Sequence, residues 1–194
     1  MMEARLAQNR KIIFQAARRI IAKGGFKDVQ VAGIAREAGV STGLIYRYFS
    51  SKDQLLVEIL TDAVLLEIDI LDDIAAQPLP ARDCLRAAIV SFTSRALAGS
   101  RLAYAFIAEP LDSAAVETER MRCHLLFGNV FKNILQRGIK EGDFRAVDVD
   151  ASAACIVGSM TQALIMPISN PEAHPVDKTQ LIDAIADFCV QAVA

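Results

Sequence analysis

Little in this chain is equipped for covalent chemistry. Two histidines, His124 and His174, occur in 194 residues, and no GxSxG, phosphate-binding glycine loop or HExxH accompanies them, which removes three common enzyme signatures. His124 beside Cys123 lacks further ligands, and His174 reads as part of an exposed loop, so neither a metal site nor a cofactor is expected. Cys84, Cys123, Cys155 and Cys189 stand more than thirty residues apart. With no CxxC pair and no histidine at zinc-finger spacing, they read as buried thiols of a reducing compartment. The N-terminal MMEARLAQNRKIIF is charged where a secretory leader needs an apolar core, so a cytoplasmic location is expected. Long apolar runs are also scarce. The best one, ASAACIVGSMTQALIMPI (151–168), carries Ser152, Ser159, Thr161 and Gln162 and falls short of the ~20 apolar residues of a membrane span. It reads as a buried or interface helix, with no membrane partner.

Strand-like alternation is missing as well, and there are no repeats and no low-complexity tract. What remains is an ordinary folding composition, 53% hydrophobic and 23% charged, with ample apolar surface to offset ordering entropy. The length suits one core or a small domain fused to a larger one. Proline and glycine punctuate a chain that otherwise reads as helix, so the fold class is all-α. Helix one runs from about Ala4 to Lys23, with Leu6, Ile13, Ala17, Ile20 and Ile21 at helical spacing and Gly24-Gly25 as its stop. Short helices follow over about Gln30–Ala38 and Thr42–Phe49. A long fourth opens at SSKDQLL, with Ser51 as cap, and ends near Ile74. Beyond QPLPARD, helices are expected over about Ala81–Ala98, Arg101–Ala108, Ala114–Lys140, Asp150–Met166 and Val176–Val193, about nine in all.

Charge is split along this helical chain. Residues 1–52 carry ten Lys and Arg against three acids, a net +7, which leaves −9 for the remainder of a chain whose formal total is −2. A basic quarter on an acidic body is the footprint of a module that meets a polyanion, although a basic solvated surface looks the same by charge alone.

The motif VAGIAREAGVSTGLIYRYF resolves that ambiguity. Ala35 is small where two short helices would cross, Gly39 comes four positions later and Ile45 six beyond, which is helix-turn-helix spacing. With Ile34, Val40, Ile45 and Phe49 inward, the third helix presents Thr42, Gly43, Leu44, Tyr46 and Arg47. Such a helix fits the major groove of double-stranded DNA with its N-terminal residues nearest the bases. Arg47 can fork onto a guanine edge or clamp a phosphate, Thr42 can touch a thymine methyl, and Gly43 lets the backbone come close. Tyr46, Tyr48 and Lys52 suit phosphates. Tyr48 can equally be core, and Ser41 reads as a helix cap beside its place at the interface.

The stretch GGFKDVQVAGIAREAGVSTGLIYRYFSSKDQLL resembles the DNA-binding domain of the TetR family of bacterial transcriptional regulators, over about Asn9 to Leu60. The resemblance implies that Thr42, Gly43, Tyr46, Arg47 and Lys52 touch DNA. It departs at Gln30, where Thr or Ser is usual at the start of the second helix, at Ala32, where a polar residue is frequent, and at Thr42, where lysine often precedes the glycine. Gln30, Ser41, Leu44 and Tyr48 are kept as candidate contacts with the others. The implied layout is a helix-turn-helix domain over 1–52, joined by the long fourth helix to a helical effector-binding and dimerisation domain over 53–194.

For that second part the resemblance is to a layout of helices. It implies a homodimer through the last two long helices, with Ala154, Gly158 and Ala163 small enough to admit a partner helix. Two recognition helices one turn apart, ~34 Å, would then read a palindromic operator. Tyr104, Phe106, Glu109, His124, Phe127, Phe131, Met160 and Met166 are the candidate effector pocket, an apolar set with few polar groups, and any of them can instead be ordinary core. The expected function is a repressor released by a largely hydrophobic small molecule. An all-α small-molecule carrier and an architectural DNA-binding factor without effector control are the alternatives.

Overall fold

The first helix is set by an apolar stripe: Ile13, Ala16, Ala17 and Ile21 are each fully buried, the i, i+3, i+4, i+8 pattern of a helix lying on a core. In the computed structural model, which describes residues 2–194, with side chains at 6–99 and 101–194, this helix, α1, spans Met2–Gly24. A 3₁₀ turn over Phe26–Asp28 follows, then α2 (Val31–Ala38) and α3 (Thr42–Tyr48). The helix α4 covers Lys52–Ala75. Its N-terminal end is capped by the Ser51 hydroxyl, which accepts the Gln54 N–H at 3.0 Å, as expected from the sequence. Further along come α5 (Ala81–Ala98), α6 (Ser100–Ile107), α7 (Ala114–Glu141), α8 (Val149–Ser169) and α9 (Lys178–Gln191). The described residues thus form nine α-helices and no strand, the all-α class expected.

Two compact units partition these helices. The first, the head, holds residues up to Ala63 together with Arg101–Arg120. Its core joins Ile13, Ile21, Phe26, Val29, Ile34, Ile45 and Phe49 to Leu55, Leu56, Ile59 and Leu60 of α4, all buried. The expected boundary between residues 52 and 53 is therefore displaced. The first three turns of α4 carry apolar side chains that finish the head's core, and two polar ties bring the 101–120 segment into it. Thr61 Oγ1 lies 2.5 Å from Glu119 Oε1, and Ser113 Oγ donates to Asp53 Oδ2 at 2.8 Å.

The second unit, the body, holds Val64–Ser100 and Met121–Ala194. Its helices begin at side-chain caps: Asp148 accepts from Ala151 N at 2.9 Å and Asp177 from Gln180 N at 3.0 Å, each satisfying an N–H that a helix start leaves unpaired. Asp143 does the same for Ala81 N at 2.6 Å, from 62 residues away. The helix α5 packs against α8 and α9, and α8 against α9. Phe127 stacks between Phe92 and Phe131 at ring distances of 4.9 and 5.5 Å. Pro167 lies inside the last turn of α8 and is buried, so that helix runs three residues past the expected stop at Met166. By length and composition α8 could cross a membrane, but in this unit it is a packed helix with one open face.

Candidate nucleic-acid interface

The turn between α2 and α3 rests on one backbone conformation. Gly39 adopts φ 68°, ψ 31°, the left-handed region where glycine meets no steric penalty. Its N–H bonds Arg36 O at 3.3 Å and Val40 N bonds Ala35 O at 2.9 Å, closing the carbonyls at the end of α2. Two residues on, Ser41 caps α3 by accepting the Leu44 N–H at 3.1 Å. Both expected roles of this loop, glycine for the bend and serine for the cap, are present.

On α3 burial divides the side chains sharply. Ile45 and the following Phe49 are 1% exposed, with Phe49 stacked 5.9 Å from Phe14. Ser41, Thr42, Gly43, Tyr46, Arg47 and Lys52 are exposed, Leu44 and Tyr48 half-buried. Seven residues of helix therefore leave one continuous polar and aromatic surface over an apolar anchor. Gln30 is exposed at the cap position of α2 and makes no cap hydrogen bond with its side chain. Tyr48 is neither pure core nor free: its hydroxyl accepts from Asn9 Nδ2 at 3.0 Å.

One feature of this surface was absent from the sequence reading. Leu6, Arg10, Arg47 and Tyr48 line a shallow cleft of about 390 Å³. Arg10 is paired with Glu58 and its guanidinium stacks over Phe14 and Phe49 at 5.6 and 5.1 Å. Nothing in the residues around Arg10 tells that α1 passes beside α3. Elsewhere on the head, Arg19 binds Glu37 at 2.6 Å, and this hydrogen bond holds the Glu37 carboxyl below its ordinary value.

The eight candidate effector residues are distributed over both units. Tyr104, Phe106 and Glu109 belong to the head, the other five to the body. Phe106 stacks edge-on against Phe26 at 5.4 Å, and Glu109 is buried on the backbone of Phe26. In the body, Phe127, Phe131 and Met160 are buried core, whereas His124 and Met166 are exposed. Ala154, Gly158 and Ala163 are all exposed on α8. No group of three or more His, Cys, Asp and Glu able to hold a metal occurs among the described residues.

A helix-turn-helix with an exposed third helix, set in a basic stretch of 52 residues and followed by a helical body, is the architecture of a DNA-binding transcriptional regulator. The family model for bacterial regulatory proteins of the tetR family matches residues 13–59, the helix-turn-helix part of the chain. The chain is 25% identical over 184 residues to the fatty acid metabolism regulator protein of Bacillus subtilis, covering 93% of each chain. The HTH-type transcriptional repressor KstR of Mycolicibacterium smegmatis is 45% identical over 53 residues, 27% of this chain and 26% of that one. The crystal structure of FadR from Bacillus subtilis in complex with stearoyl-CoA has the same fold, with a TM-score of 0.82 and 22% identity over 95% of this chain and 99% of that one. These relatives are regulators, not enzymes.

Proposed function

We propose that this chain is a repressor that binds an inverted-repeat operator as a homodimer and leaves it when a long-chain acyl-CoA thioester binds. The observation that carries the reading is the division of α3, in which Thr42, Gly43, Tyr46 and Arg47 stand exposed over buried Ile45 and Phe49. Arg47 would read a base edge. Tyr46, Tyr48 and Lys52 would hold phosphates, and Gln30 and Ser41 would flank them.

Dimerisation is supported by the open side of the last two helices. Phe188 is 63% and Met166 53% exposed, alongside the small residues Ala154, Gly158 and Ala163. Large apolar groups left open beside small residues suit burial against a second copy, where one recognition helix alone would read too few base pairs. The effector class rests on the relatives. The Bacillus subtilis relative is a fatty acid metabolism regulator and the similar structure from that organism holds stearoyl-CoA, and the body's Phe127, Phe131 and Met160 would supply apolar lining. The effector must prefer the DNA-incompetent state, since equal affinity for both states shifts nothing. Repression in the bacterial cytoplasm is the corresponding setting.

Selection of bound duplexes from a random pool tests this directly. An enriched inverted repeat, released by stearoyl-CoA, is the expected result. Weak and uniform binding across all sequences would overturn the DNA-reading conclusion, and release only by hydrophilic charged compounds would overturn the effector class.

A further inference from the structure

Thr93 and Glu109 are the buried polar side chains of the described core, and Glu109 is 7% exposed. Its main chain is held twice at the end of α6: its N–H bonds Tyr104 O at 3.0 Å, and its carbonyl accepts from Arg120 Nη1 at 2.7 Å. The carboxylate reaches back 83 residues. Its Oε2 accepts the Phe26 N–H at 2.8 Å and Oε1 the Lys27 N–H at 3.5 Å. These are the first donors of the 3₁₀ turn, where unpaired N–H groups favour a negative charge.

Gly25 makes the seat possible. A Cβ there would stand 2.5 Å from Glu109 Oε2 and 2.7 Å from its Cδ, and its φ of 84° with ψ of −175° is a conformation that side chains essentially forbid. Gly25 therefore does more than follow a helix stop. Phe106, just before Glu109 in the chain, adds its edge-on contact with Phe26. From this turn only Val29, fully buried, and Gln30 lead into α2, so whatever holds Phe26 holds the start of the helix-turn-helix.

Resting on the DNA-reading conclusion above, we propose that Glu109 is a positioning residue for operator binding. Seated on Phe26 and Lys27, it fixes the junction of α1 and α2 in the register that α3 needs. Withdrawing it lowers affinity while leaving every DNA-facing side chain in place. The segment that carries it is continuous with the body at both ends, with Gly99 alone between α5 and α6 and α7 running unbroken past Arg120.

The test uses the full chain with the duplex enriched by selection and a scrambled duplex of equal length, the active fraction being titrated for each variant. Glu109→Ala is expected to weaken operator binding about tenfold or more, the scale of a coupling between sites. Binding to the scrambled duplex and the salt slope should stay as in the wild type, since Arg47 and Lys52 are untouched. Glu109→Gln keeps an acceptor oxygen and should retain most of the affinity, and Phe26 amide exchange should accelerate in the alanine variant alone. Should Glu109→Ala fail to fold, Glu109→Asp, one methylene short of the Phe26 N–H, should give the same selective loss in weaker form. Unchanged operator affinity, or equal loss on both duplexes, overturns the proposal. A wild type that enriches no duplex overturns the DNA-reading conclusion and this proposal with it, which separates the two failures.

Discussion

The head and the body solve the problem of exposing function in opposite ways. In the head, a helix of seven residues is anchored by Ile45 and the adjacent Phe49, and nearly every other side chain faces outward. Its chemistry is legible residue by residue because a groove reader must display polar groups on a rigid local frame. In the body, long helices bury their distinctive residues, among them Phe92, Phe127 and Phe131, and expose small or apolar ones on α8 and α9. A short polar display thus specifies a partner by contacts, whereas an apolar body specifies one by the shape its packing leaves.

The largest effect that would test this contrast is a cavity in either core. Phe49→Ala and Phe131→Ala, at positions 1% and 0% exposed, should each cost about 3–5 kcal/mol in chemical denaturation. If the units differ as described, the first abolishes duplex binding while stearoyl-CoA still stabilises the protein, and the second does the reverse. Loss of both activities in both variants would break the comparison, because it would mean one cooperative unit.

Next in size is the assembly. Phe188→Glu places a charge on the open face of α9 and should convert the proposed dimer to a monomer in sedimentation velocity, with operator affinity falling as the two heads separate. Cys155, exposed on α8, should then react readily with a thiol reagent, whereas burial in the proposed dimer would protect it. A monomeric wild type would remove the body's proposed role.

Smaller again is Arg47→Ala, which should weaken operator binding by about 1–3 kcal/mol and flatten base preference at one position per half-site if the guanidinium reads a base. Equal weakening on all sequences would make it a phosphate clamp. Ser41→Ala removes the cap on the Leu44 N–H and should cost about 1 kcal/mol of stability, measured by thermal denaturation and visible as a loss in the head.

The body offers a pH handle. Burial pushes the Cys189 thiol from 9.0 up to about 11. A raised folded value favours the protonated form, so the associated stability is complete below about pH 9 and is lost as pH rises through 11. Cys189→Ala should abolish that alkaline component.

Legibility followed distance along the chain. The turn at Gly39, the Ser41 and Ser51 caps and the buried Ile45 were readable, since each depends on partners within a few residues and a helical period. So was the charge split that marks residues 1–52. The 3₁₀ turn at Phe26 was not expected, because GGF reads only as a helix stop. Phe106 and Glu109 looked like pocket residues, since an apolar aromatic and a carboxylate carry no local sign of what they will face. Likewise Arg10 gave no hint that it stacks on Phe49.

Local residues specify the helices, their caps, the bend that presents α3 and the charge of residues 1–52, because hydrogen bonds and periodicities that close within one or two turns are written in adjacent residues. Tertiary structure alone decided that residues 101–120 belong with the head, that Gly25 leaves room for a carboxylate 84 positions away, and which face of α8 stays open. Those outcomes depend on pairings that exist only once distant segments have packed, where burial leaves a backbone N–H no partner but the one the fold brings to it.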